Sequence, residues 1–197
     1  MEKGLSELNG VIGEVVGAST TRFRAVAKQV FEPPRFGSFV KVASTGGLVY
    51  GVVSNVETAS FDSSRRAMAF GMPWEQLVRE QPQIVELLQT EFDTVVIGYG
   101  AEDSLHHYLP PYPPRLHDFV SRCPPTEIAA LTDSLEFVRT LAGLPDGPVH
   151  ELVAAAIREA SLARGRDALF VNEAARAVAE LFKDDYELAM SIVRRLS

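Results

Sequence analysis

Residues 11–57, VIGEVVGASTTRFRAVAKQVFEPPRFGSFVKVASTGGLVYGVVSNVE, hold four short runs of β-branched and apolar residues separated by glycine, proline and serine. Such a stretch reads as the first four strands of a small β-barrel. Residues 11–18 carry Gly13 and Gly17, where a small barrel needs a bend or a close backbone approach. Residues 22–31 set Phe23, Ala25 and Ala27 against Arg22, Arg24, Val26 and Lys28, the period-two pattern of a strand with one face buried. Pro33-Pro34 cannot donate ladder hydrogen bonds, so this strand must stop before them. Residues 38–43 start the next run with Phe39, Val40 and Val42, and Thr45-Gly46-Gly47 predicts a tight hairpin in which both glycines supply positive φ angles. Residues 48–57 return as the fourth strand.

The polar stretch 58–71 reads as a loop. Pro73 then opens a helical insertion near 73–90, with Trp74, Leu77 and Val78 on one face and Pro82 as an interruption. It is expected to pack across one barrel mouth, with Trp74 plugging the junction. Residues 92–99 (FDTVVIGY) form a buried strand. Residues 101–114 contain four prolines and read as an extended strap, either closing the barrel or offering Tyr108 and Tyr112 to a partner. Residues 115–122 supply a sixth strand.

From Thr126 the apolar period changes from two to about 3.6. Ile128, Leu131, Leu135, Val138 and Leu141 share one face of a first helix capped by Thr126 and ended by Gly143. Residues 149–164 form a second helix ending at Gly165. Asn172 caps a third with Ala175, Val178, Leu181 and Phe182 inward, and Asp184 or Asp185 caps a fourth. The expected fold is therefore α+β: a six-stranded Greek-key-like barrel in residues 1–122, with its helical insertion, followed by about four helices in residues 123–197.

The order IGEVVG, RFRAVA, FGSFVKV, GLVYGVVSNVE resembles the HAS-barrel, the domain shared by the N-termini of HerA-type translocases and the ATP synthase subunits. TVVIG (94–98) and LPPYPPRLHDF (109–119) resemble the closing strand and proline-rich exit of that barrel. The likeness lies in order and spacing and covers roughly three fifths of the chain. In those families a RecA-like ATPase follows the barrel, whereas this chain has no G-x-x-x-x-G-K-[ST] phosphate loop and continues into helices. The resemblance implies an ATPase-associated barrel that forms rings through side-by-side contacts and offers a docking face to partners.

A net charge of −7 over 197 residues argues against a non-specific nucleic-acid binder, and the adjacent basic pairs Arg65-Arg66 and Arg194-Arg195 read as solvated surface. A single cysteine, Cys123, excludes an intramolecular disulfide framework and fits a reducing compartment. The start MEKGLSELNG lacks a targeting pattern and no apolar run approaches the roughly 20 residues needed to span a bilayer, so a cytoplasmic protein is expected.

For chemistry, the sequence offers His106, His107 and His117 with Glu102 and Asp103 nearby, and Cys123 six positions after His117. Adjacent strand residues point to opposite faces, so His106 and His107 are poorly placed to share a metal, and Cys123 has no orienting third group. No catalytic residue, metal site or cofactor is assigned. The expected role is a non-enzymatic interaction or assembly module, self-associating or docking a protein partner through the barrel, with the helical tail as a candidate partner surface. The alternatives are an adaptor for a DNA-processing translocase or nuclease, and an enzyme using the histidines or Cys123.

Overall fold

The computed structural model of the chain describes residues 10–61, 69–102 and 104–196. The chain start, the Arg65-Arg66 pair and Asp103 lie outside the described residues.

The strands are β1 (Val11–Ala18), β2 (Arg22–Ala27), β3 (Phe39–Ser44), β4 (Gly47–Ser60), β5 (Leu88–Ala101), β6 (Ser104–His106) and β7 (Phe119–Arg122). Going round the barrel the order is β2-β1-β7-β3-β4-β5, and β5 pairs again with β2, so the sheet closes on itself with six antiparallel strands. Closure leaves these strands without a free edge inside the barrel. The order β3-β4-β5-β2 is the Greek-key arrangement expected. The small strand β6 is annexed to the outer edge of β5, inside the stretch read from sequence as strap alone.

Two expected strands are shorter than their apolar runs. β2 stops at Ala27, and Phe31 takes a left-handed φ of 67° before the proline pair. β7 is only Phe119–Arg122, because Arg115 and Asp118 form a turn and His117 has φ 70°. In the β3–β4 hairpin Ser44 pairs with Gly47, so the turn is Thr45-Gly46, and the positive φ falls on Gly47 alone, at 123°. A Cβ there would collide with the Gly100 carbonyl oxygen, so β4 and β5 approach as they do because Gly47 has no side chain.

β4 and β5 are longer than expected and, beyond the reach of β2 and β3, run on as a two-stranded ribbon from the Thr58–Thr90 pair to Ser60–Leu88. The helical insertion stands at its far end as α1 (Trp74–Glu80) and α2 (Pro82–Glu86). Residues 88–90, expected in the insertion, belong to β5. Neither helix buries a residue, and Trp74 is 40% exposed with its ring 5.0 Å edge-on to Phe31, so it is not the expected plug.

Five helices follow the barrel instead of about four: α3 (Pro125–Leu131), α4 (Glu136–Ala142), α5 (Val149–Ala163), α6 (Ala168–Leu181) and α7 (Tyr186–Val193). The expected first helix breaks in two at Thr132–Asp133–Ser134, where the Thr132 hydroxyl donates to the Ile128 carbonyl at 2.6 Å and Leu135 turns left-handed, φ 55°. Pro125 occupies the first turn of α3 with Pro124 as its cap, displacing Thr126 from that role. Asp167 caps α6 by accepting from the Leu169 amide, so Asn172 lies within the helix, while Asp185 caps α7 as expected.

Two buried clusters hold the molecule. Inside the barrel Val15, Phe23, Ala25, Val40, Val42, Val49, Val53, Phe92, Val96 and Val120 fill the interior. The other cluster joins the outward residues Phe39, Tyr50, Val52, Val95 and Ile97 of β3–β4–β5 to helix residues such as Phe137, Leu152, Ile157 and Ile192. The helices therefore sheathe one outer wall of the barrel. Phe39 and Phe137 meet edge-to-face at 5.8 Å, and each such buried side chain contributes about 1.5–3 kcal/mol. Gly37, at φ 83°, lets α5 come close: a Cβ there would overlap the Ala155 Cβ. The run Ala154–Ala155–Ala156, wholly buried, is the helix side of this contact.

Candidate functional site

The histidines flagged by sequence do not converge. His106, on β6, stacks 4.7 Å from the Tyr99 ring of β5, and its Nδ1 is 3.1 Å from the Tyr108 hydroxyl. The Tyr99 phenol is itself pushed up from its ordinary value, chiefly by a side-chain hydrogen bond with Tyr108. His117 sits before β7 with Nδ1 2.6 Å from Glu14 Oε1 on β1, and β2 separates β1 from β5. Among the described residues no three of the His, Cys, Asp or Glu side chains gather in a way that could hold a metal.

Cys123 is 6% exposed in the cluster beneath the helices. Burial, and next the Glu127 carboxylate, push its thiol up to about 12, with Lys41 opposing. A thiol raised in this way is held in its protonated form at neutral pH. Burial likewise raises the nearby Tyr50 phenol, the first of its causes. Lys41 Nζ meets Glu127 Oε1 at 2.6 Å across the barrel–helix seam, and Glu127 Oε2 is buried with no hydrogen-bond partner. These groups belong to the packing of α3 on the barrel.

The proline strap is pinned to the barrel. Pro110 and Pro114 are buried, and the Ser44 hydroxyl reaches the Tyr112 and Pro113 carbonyls at 3.3 and 3.2 Å. Tyr108 and Tyr112 remain exposed.

The surface that stands out is the wall opposite the helices. Across β7, β1 and β2 the register aligns Phe119, Glu14 and Val26 in one outward row. Phe119 is 51% exposed and Val16 43%, and with Val11, Glu14, Val26 and Lys28 they line a shallow groove of about 440 Å³. The one carboxylate in the row, Glu14, is held by His117. Sequence reading missed this wall. Its signal was present, since Phe119 and Val120 are consecutive bulky apolar residues and a strand points them to opposite faces.

Residues 12–100 match the HAS barrel domain. This stretch of the chain is a HAS-barrel domain. The match takes in β1 to β5, while β7, which completes the closed HAS barrel, and all five helices of the sheath lie beyond it. No curated protein matches the chain. Among the described residues no helix is long and apolar enough to cross a membrane.

Proposed function

We propose that this protein is a non-catalytic assembly module whose HAS barrel self-associates through the β7–β1–β2 wall. The observation that carries this reading is the outward apolar patch of Phe119, Val16 and Val26 around Glu14, on a closed sheet whose other wall is already covered. An exposed apolar patch with a few charged groups is a usual form of a protein-binding surface; here Glu14, paired with His117, lies between Phe119 and Val26, and Lys28 lies beside them. The ring-forming habit that the resemblance implies points the same way. The protonated, buried Cys123 and the scattered histidines support a role without chemistry of their own.

Light scattering after size exclusion tests it over about a hundredfold dilution, since association follows mass action. The expected result is a discrete mass at a multiple of the 21.6 kDa chain that falls on dilution. A mass of 21.6 kDa at every concentration contradicts the reading.

A further inference from the structure

We propose that association through the wall takes up protons, because His117 sets whether the Glu14 carboxylate can be buried against a second copy. This inference rests on the assembly reading above and deepens it.

Glu14 is the one carboxylate among the residues lining the wall groove, in register between Phe119 of β7 and Val26 of β2. A second copy seated on Phe119, Val16 and Val26 takes Glu14 out of water with them. An ionised carboxylate removed from water is costly unless a cation goes with it. Among the described residues its ion-pair partner is His117, whose Nδ1 lies 2.6 Å from Glu14 Oε1.

The backbone builds this pair. The His117 amide donates to the Val15 carbonyl at 2.8 Å and the Val15 amide to the Asp118 carbonyl at 3.0 Å, so the contact between β1 and the β7 segment continues ahead of Phe119. The Arg115–Asp118 turn holds His117 there at φ 70°. The other charged groups nearby are engaged elsewhere or stand apart. Arg115 and Asp118, on the same turn, bind each other at 3.2 and 3.3 Å. On β3, the other neighbour of β7, Lys41 is taken by Glu127 at 2.6 Å. Lys28, just past β2, lines the groove but forms no ion pair among the described residues.

A ring Nδ1–H can donate to Glu14 in either charge state, but only the imidazolium cancels the charge of the carboxylate. Imidazole is the side chain that changes charge near neutral pH. With a neutral ring, burying the wall leaves a net negative charge on each face. The complex relieves it by binding a proton, on the ring or on Glu14 itself. Both routes take up a proton on association, so the sign is fixed: the contact tightens as pH falls and loosens as pH rises. Each proton taken up changes the association constant by at most about tenfold per pH unit.

Sedimentation equilibrium on the full chain at constant ionic strength, from about pH 5.5 to 8.5, tests this over the range in which imidazole changes charge. The association constant is expected to fall roughly tenfold or more across that range. Glu14→Gln keeps the shape and removes the charge, and is expected to lose the slope and to associate more tightly than the parent at the alkaline end. His117→Asn, chosen because asparagine accepts a left-handed backbone, leaves Glu14 uncompensated and is expected to associate weakly throughout. The two side chains are 46% and 79% exposed, so both variants are expected to melt near the parent. If His117→Asn melts far below it, the slope of Glu14→Gln decides alone. A slope that survives Glu14→Gln assigns the protons to another group and overturns the inference. A parent that associates equally at every pH, the result if Lys28 of a second copy neutralises Glu14, overturns it and leaves the assembly reading standing. A parent that is monomeric at every pH overturns both.

Discussion

Along β3, β4 and β5 the outward residues include Phe39, Tyr50, Val52, Val95 and Ile97, and the helices cover them; along β7, β1 and β2 they include Phe119, Glu14, Val16 and Val26, and the helices do not. Both walls belong to one closed sheet and both carry apolar side chains outward. The difference is set by where the chain goes after β7: Cys123 leads straight into α3, and the Lys41–Glu127 pair holds that helix against β3. An outward valine is therefore core on one wall and surface on the other. The two walls differ in what covers them rather than in the kind of strand that builds them.

The harshest way to break this comparison is to remove the sheath. A chain ending at Arg122 exposes Phe39, Val52, Val95 and Ile97 together, and is expected to aggregate or to bind a hydrophobic dye without a cooperative melt. A soluble, cooperatively melting barrel from that truncation would show that the sheath is dispensable.

The same substitution placed on each wall sharpens the contrast. Val52→Asp buries an unpaired carboxylate at a position with 0% exposure and is expected to abolish folding, whereas Val16→Asp, at 43% exposure, is expected to shift stability by about 1 kcal/mol or less. Circular dichroism melts of the pair decide it. Equal losses would erase the distinction between the walls.

The seam itself is sensitive to size. Phe137→Ala, at the edge-to-face contact with Phe39, should lose about 3–5 kcal/mol. Gly37→Ala must force a methyl against the Ala155 Cβ at a φ of 83°, and a loss of about 2–4 kcal/mol in urea unfolding is expected.

A smaller effect is expected from pH. The Cys123 thiol is raised from 9.0 to about 12 in the folded chain, so the thiolate is favoured in the unfolded one. Its contribution is fully present below pH 9.0 and is lost as pH rises towards about 12. Tyr50, raised in the same direction from 10.0, adds to the fall at the alkaline end. Cys123→Ala should flatten the slope of unfolding free energy above pH 9.0, and an unchanged slope would remove Cys123 as its source.

Much of the barrel is legible in the residues themselves. The Phe23, Ala25, Ala27 alternation marks the buried face of β2, although the strand ends at Ala27, well short of Pro33-Pro34. The helical faces at Leu152, Val153, Ala156, Ile157 and Ala160 are equally plain. What escapes is decided by groups distant in sequence. The break between α3 and α4 depends on Arg164, whose guanidinium reaches the Thr132 hydroxyl and the Ala129 carbonyl and stacks 4.2 Å over Phe170. The extension of β4 to Ser60 requires β5 to start at Leu88, ahead of its apolar run, which no local pattern announces. Trp74 carries a core-like spacing, yet core spacing says only that a face is apolar and not that something covers it. The same holds for Phe119, where two consecutive apolar residues in a strand are the sign of a second apolar face.

The most direct test of the wall as the assembly surface is light scattering on Phe119→Lys beside the parent. Lysine at this position faces Glu14 in register, so the barrel keeps a favourable cross-strand pair while the apolar row is interrupted. The expected result is an unchanged melt with association through the wall abolished, so that the mass drops towards the 21.6 kDa chain. A parent oligomer that Phe119→Lys leaves intact in mass and in dilution behaviour would contradict the account.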